Sequence, residues 1–169
     1  MLLILNYIGW SYEEVLPYWL KSENNTDPVV VAQNPGFHGT SGPLVVSSDP
    51  NPRPIITLHE RAVNELGFKS IDINGATQRG TMIAQSNIDL GTRVSTANAY
   101  LLPRPQNLDI LIEAFVTQIL FSQTNKGLTA TAVQFDRKGK TYTVSARKEI
   151  ILSAGLFTKP FAFELFDIF

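Results

Sequence analysis

The spacing of apolar residues changes character along the chain. Ser11-Tyr12-Glu13-Glu14 is a capping box: the Ser11 hydroxyl can accept from the Glu14 amide while the Glu14 carboxylate reaches back to the Ser11 amide. It predicts a helix with Val15, Tyr18 and Trp19 on one side. Pro17 falls inside it, so the helix is kinked there or starts later. Asn24 to Pro28 breaks the pattern, and Val29-Val30-Val31 opens a stretch of turn signals at Pro35-Gly36, Gly39 and Gly42-Pro43. Leu44-Val45-Val46 is a short strand candidate, ended by Pro50, Pro52 and Pro54. From Pro54, which suits a first helical turn, Ile55, Leu58, Ala62 and Leu66 share a helix face and Gly67 supplies the stop.

Ile71 to Leu102 has mixed periodicity. Asp72-Ile73-Asn74-Gly75 reads as strand into turn, and Gln78 to Gln85 as a strand polar on one face. Gly91 to Leu102 follows, closed by Pro103-Arg104-Pro105. After Pro105 the period becomes that of strands: Leu108, Ile110 and Ile112 alternate with their neighbours, and Val116 to Phe121 is β-rich. Ala130–Phe135 and Tyr142–Ala146 flank Arg137-Lys138-Gly139-Lys140, a hairpin turn. Ile150-Ile151-Leu152 is a continuous apolar run, as in a strand covered on both faces. Phe157 to Phe169 is apolar and helical in pattern after Pro160; it suits a core helix or an exposed apolar patch seeking cover.

Composition narrows the class. The chain has 169 residues, 44% hydrophobic and 17% charged, with net charge −1. That suits one globular domain or parts of two. Lys and Arg are scattered, so there is no nucleic-acid footprint. No apolar run reaches the roughly 18–20 residues of a membrane span. The chain contains no cysteine, which excludes disulfides and thiolate chemistry within it but leaves the compartment open. Met1-Leu2-Leu3-Ile4-Leu5 has no basic flank and is not read as a signal peptide.

Candidate chemistry is sparse. His38 lies among glycines and His59 in the helix after Pro54; neither has the context of a triad or a metal site, and HExxH is absent. No carboxylate pair stands out as acid and base, and there is no P-loop and no GxGxxG. What remains is Lys148-Glu149-Ile150-Ile151-Leu152-Ser153-Ala154-Gly155, where an apolar run ends in three small residues. Small residues at a strand end let a ligand approach the main chain. They equally suit a tight strand-to-helix turn, which the stretch alone favours.

Several ordered segments together resemble the glucose–methanol–choline (GMC) oxidoreductase family of flavoenzymes, especially its arthropod glucose-dehydrogenase-like members. They are Gly9 to Tyr18, His38-Gly39-Thr40-Ser41-Gly42-Pro43-Leu44, Asp72 to Gly75, Gln78-Arg79-Gly80, Gly91 to Leu101, Asn107-Leu108, Val116 to Leu120 and Lys148 to Gly155. The resemblance implies a mixed α/β (α+β) fold, in which a partial FAD-binding domain is interleaved with part of an antiparallel-sheet substrate domain. It implies residues 1–27 as an edge helix of the FAD-binding domain, 28–105 as part of the substrate-binding domain and 106–169 as the return to the FAD-binding domain. It assigns FAD contacts to Val116, whose backbone would hold the adenine, and to Ala154 and Gly155 near the ADP part. Pro160 matches the family's second fingerprint, whereas Lys159 and Phe166-Asp167-Ile168-Phe169 depart from it. The parent activity implied is oxidation of the CH–OH group of an alcohol or sugar with hydride transfer to flavin. The GxGxxG strand–helix and the catalytic histidine region are not in this sequence. The chain by itself is therefore expected to be inactive, with uncovered sheet edges and apolar faces; the alternative is a non-catalytic fragment or pseudo-enzyme acting as a protein-binding module.

Overall fold

The computed structural model describes residues 9–102, 105–125 and 127–155. They form two compact units, the first ending at Leu108 and the second beginning at Asp109. Helices and sheets are mixed, as expected.

Unit 1 opens with α1 (Tyr12–Ser22). Its capping box is complete: the Ser11 hydroxyl accepts from the Glu14 amide at 3.2 Å and Glu14 Oε2 accepts from the Ser11 amide at 2.9 Å. The helix starts at this cap and runs through Pro17, whose ring has no N–H to give the carbonyl four residues back. Val15, Leu16 and Leu20 are half-buried, while Tyr18 and Trp19 lie exposed. The expected apolar side is thus split, and Trp19 meets the Tyr12 ring edge-on, centroids 5.8 Å apart.

The chain passes from α1 into β1 (Glu23–Asn25), which pairs in parallel with β2 (Leu44–Val46), Glu23 opposite Leu44 and Asn25 opposite Val46. Between them lies α2 (Pro28–Gln33). Asp27 caps it, accepting from the amides of Val29 and Val30, and Pro28 fills the first helical position. Gly39 and Gly42 let the return loop lie on the end of α1. A Cβ on Gly39 would land on the Leu20 carbonyl, and one on Gly42 would land on the Ser22 carbonyl.

α3 (Pro54–Glu65) begins with Pro54 in its first turn. Its apolar stripe does not face inward: Ile55 is 69% exposed and Leu58 55%, whereas Thr57, Glu60 and Val63 are the half-buried positions. The hydrophobic pattern therefore marks a face with no cover among the described residues. The strand expected over Gln78–Gln85 is irregular: Thr81 exchanges backbone hydrogen bonds with Lys69 and Ile71, and Gln85 is held through its side chain. No described segment runs beside it long enough to make a ladder. β3 (Ile88–Asp89) and β4 (Thr92–Arg93) form a tight hairpin through Leu90 and Gly91, both at positive φ. α4 (Thr96–Leu101) follows, capped by Ser95.

Unit 2 is an antiparallel meander of β5 (Phe115–Thr124), β6 (Gly127–Arg137) and β7 (Lys140–Ser145), in the order β5-β6-β7. The turn Lys138-Gly139 falls where the sequence places it. Ile119, Ala132 and Phe135 are buried, and Phe135 stacks on Tyr142 with ring centroids 5.6 Å apart. The register shifts between Val116 and Gln118, which leaves Thr117 unpaired in a bulge.

Two more expected strands are absent. Leu108–Ile112 is irregular, with Ile112 68% exposed and Glu113 at φ +56, a turn conformation that ends any extended run. Ile150–Leu152 is irregular as well, with Ile151 76% exposed. An apolar run can form a strand covered on both faces only where neighbours supply the ladder and the cover, and no described segment does so here. The reading of Phe157–Phe169 lies outside the described residues.

Candidate functional site

In unit 2 the family-assigned residues sit on one strand and one chain turn. Val116 lies near the start of β5, opposite Phe135, beside the bulge at Thr117. Ala154 and Gly155 follow the irregular stretch after β7, and both are exposed. Gly155 adopts φ +82, and no described atom lies where a side chain would be, so it is the kind of turn residue the sequence suggested. Among the described residues no hydrogen bond joins Val116 to Ala154 or Gly155.

Unit 1 holds an arrangement that the sequence did not reveal, a polar knot at the junction of α1, β1, the 38–44 loop and the 72–75 turn. His38 is its centre. The ring Nδ1 lies 3.0 Å from Glu23 Oε1, and Nε2 lies 2.6 Å from Asp72 Oδ2. The His38 and Asp72 side chains are only 3% and 4% exposed. Ionised carboxylates accept and cannot donate, so a ring that bonds both must carry a proton on each nitrogen. Burial is the largest single influence and opposes that charge. The hydrogen bonds to Asp72 and Glu23, together with the charges of both carboxylates, outweigh it and raise the His38 pKa above its ordinary value.

Asn25 extends the knot. It too is buried, at 4% exposure. Its amide nitrogen donates to Glu23 Oε1 at 3.1 Å and to Gln85 Oε1 at 2.9 Å. Gln85 Nε2 donates back to Asn25 Oδ1 and to the Ser48 hydroxyl, each at 3.1 Å. Ser48 donates to Asp27 Oδ2 at 2.5 Å, and this bond does most to hold the Asp27 carboxyl below its usual range. Glu23 Oε2 accepts from the Gly39 amide at 3.0 Å. No buried side-chain nitrogen or oxygen among the described residues is left without a partner.

Chemically the knot is closed. His38 has no lone pair to offer a substrate, and its two carboxylates sit on opposite ring nitrogens, so they do not converge on one ion. No metal-competent cluster occurs among the described residues. A cleft of about 550 Å³ beside it is lined by Tyr12, Trp19, Phe37, His38, Leu44 and Gln78, among others. His59 stands exposed on α3.

Helices and sheets in this arrangement occur in a solved FAD-dependent oxidoreductase. A solved FAD-dependent oxidoreductase from Chaetomium thermophilum superposes over 98% of this chain and 30% of its own, with TM-score 0.81 and 30% identity. A glucose dehydrogenase [FAD, quinone] of Drosophila melanogaster is 37% identical over 154 residues, 90% of this chain and 24% of its own length. An oxygen-dependent choline dehydrogenase of Staphylococcus epidermidis is 35% identical over 162 residues, 94% of this chain and 27% of its own length. Residues 6–164 match the family described as GMC oxidoreductase, and the chain belongs to that family. It spans about a quarter of the length of these curated relatives. Among the described residues no helix is long and apolar enough to cross a membrane.

Proposed function

We propose that the chain is a working segment of an FAD-dependent oxidoreductase that oxidises the CH–OH group of a small alcohol or sugar. The observation that carries this is the family match along almost the whole sequence, whose relatives include named glucose and choline dehydrogenases. Within the segment, Val116 would hold the adenine of FAD through its backbone, and Ala154 and Gly155 would lie against the ADP part. Two features support the assignment. β5 is at an edge in the strand order, with Val116 48% exposed at a bulge, so a base can reach its main chain. No described atom lies above Gly155, which leaves room among the described residues for a bulky ligand on the backbone there. Bound FAD supplies the hydride acceptor; the residues of this chain orient and cover it.

The test uses two proteins: the 169-residue chain, and a chimera in which this chain replaces the matching segment of the Drosophila glucose dehydrogenase. Flavin absorbance and sugar-dependent dye reduction are measured on both. The chimera is expected to be yellow and to turn over, and the chain alone to do neither, because it carries no GxGxxG. A soluble, folded chimera without flavin would overturn the cofactor assignment. A bulky residue in place of Gly155 should lower flavin occupancy in the chimera while its far-ultraviolet circular dichroism stays unchanged.

A further inference from the structure

We propose that His38 is a pH-dependent pin: doubly protonated, it holds β1, the 38–44 loop and the 72–75 turn together, and loss of one ring proton releases Glu23 and loosens unit 1. The geometry specifies which bond fails. The shorter contact, Nε2 to Asp72 at 2.6 Å, keeps the remaining proton. Nδ1 then becomes an acceptor, and Asn25 Nδ2, 3.2 Å away, can turn to it the proton it otherwise gives Glu23. Glu23 is left with its carboxylate facing a lone pair at 3.0 Å, so the attraction there becomes repulsion. Glu23 is also the acceptor for the Gly39 amide, and its own carbonyl accepts from Gly42 at 2.8 Å. The loosening therefore spreads to the loop lying on α1.

The charged groups facing the ring are Glu23 from β1 and Asp72 from the turn. Asn25 from the far end of β1 is neutral, and Tyr12 from α1 lines the same cleft. Both carboxylates raise the folded ring's pKa above the unfolded value of 6.5. The stabilisation is complete below the unfolded value and is lost as pH rises through the higher folded value. The interaction links residues 34 positions apart in sequence, so it bears on tertiary structure rather than on any one helix.

Hydrogen exchange resolved by segment tests this on the full chain, corrected for the intrinsic pH dependence of exchange. Between about pH 6 and about pH 9, protection in residues 37–46 is expected to fall roughly tenfold for each unit by which the ring's pKa is raised. Residues 127–145 of unit 2 serve as the reference and should not follow. In His38→Gln, which keeps a polar side chain but no titration, protection in 37–46 should be low at both pH values. A second arm uses His59→Gln, leaving one histidine, and follows its ring by proton NMR; the expected midpoint lies above 6.5. A midpoint at or below that value, an equal pH response in His38→Gln, or no protection of 37–46 at the lower pH would each overturn the proposal.

Discussion

Replacing Gly39 by alanine is the most demanding test of how unit 1 is assembled. The new Cβ would fall on the Leu20 carbonyl oxygen, 2.7 Å from the Leu20 carbonyl carbon and 2.8 Å from the Glu23 oxygen, where ordinary contact begins near 3.4 Å. These are backbone atoms at the end of a helix, and no rotamer change moves them aside. The loop must back away, stretching the bond from the Asn25 amide to the Gly39 carbonyl, 2.8 Å, and that from the Gly39 amide to Glu23, 3.0 Å. Overpacking of this kind costs about 1–3 kcal/mol. Losing a neutral bond adds about 1 kcal/mol and losing one to a charged group about 1.5–3 kcal/mol. The total, about 3.5–7 kcal/mol, is comparable to the whole stability of a small domain, about 5–15 kcal/mol. Gly36→Ala is the control, because Gly36 has positive φ but empty space around it; only the left-handed backbone is penalised, by about 1–2 kcal/mol. Urea unfolding followed by far-ultraviolet circular dichroism, with exchange of the Asn25 and Gly39 amides, measures both. A Gly39→Ala cost equal to that of Gly36→Ala, with those amides still protected, would refute the close-packing account.

Asn25→Ala should cost about 2–4 kcal/mol in the same assay, because it strands the Gln85 amide and part of Glu23 in a buried site. Ser48→Ala removes the main cause of the lowered Asp27 pKa. In the native chain the stabilisation from Asp27 is present above the unfolded carboxyl value and is lost as pH falls through the lower folded value; the variant should show the carboxyl midpoint moved back up in an NMR titration. Leu90→Asn should raise the melting temperature, by a gain of about 1 kcal/mol. Leu90 holds φ +46 with its side chain 99% exposed, so asparagine relieves strain and loses no packing. A lowered melting temperature would count against that account.

Local signals are the legible ones. The Ser11 cap, the first turn at Pro54 and the Lys138-Gly139 hairpin each depend on a few adjacent residues, and each appears in the structure where the sequence puts it. Asp27-Pro28 carries a helix start of the same kind, masked by the β-branched valines that follow it. Sequence and structure part where the outcome depends on distant neighbours. The alternation over Leu108–Ile112 and the Ile150–Leu152 run say that a segment suits a ladder, not that a partner is beside it. The apolar stripe of α3 is present as a stripe, but no described residue covers it. His38 is legible only as a histidine among glycines. Its partners come from residues 23 and 72, and no spacing rule links these before the fold is known. The family resemblance reaches the chain's class by a different route, through the order of many short segments.

The two units also differ in how far the chain must travel to close them. In unit 2 each strand pairs with the next through a short turn, and hairpins of that kind form in about 1–10 μs. Unit 1 closes by contacts that span 34 residues from His38 to Asp72 and 60 from Asn25 to Gln85. Such closures carry a larger entropic cost before any contact rewards them. During refolding the meander is therefore expected to form before unit 1 closes. The polar knot ties segments up to 60 residues apart, so it is the costliest closure in the unit.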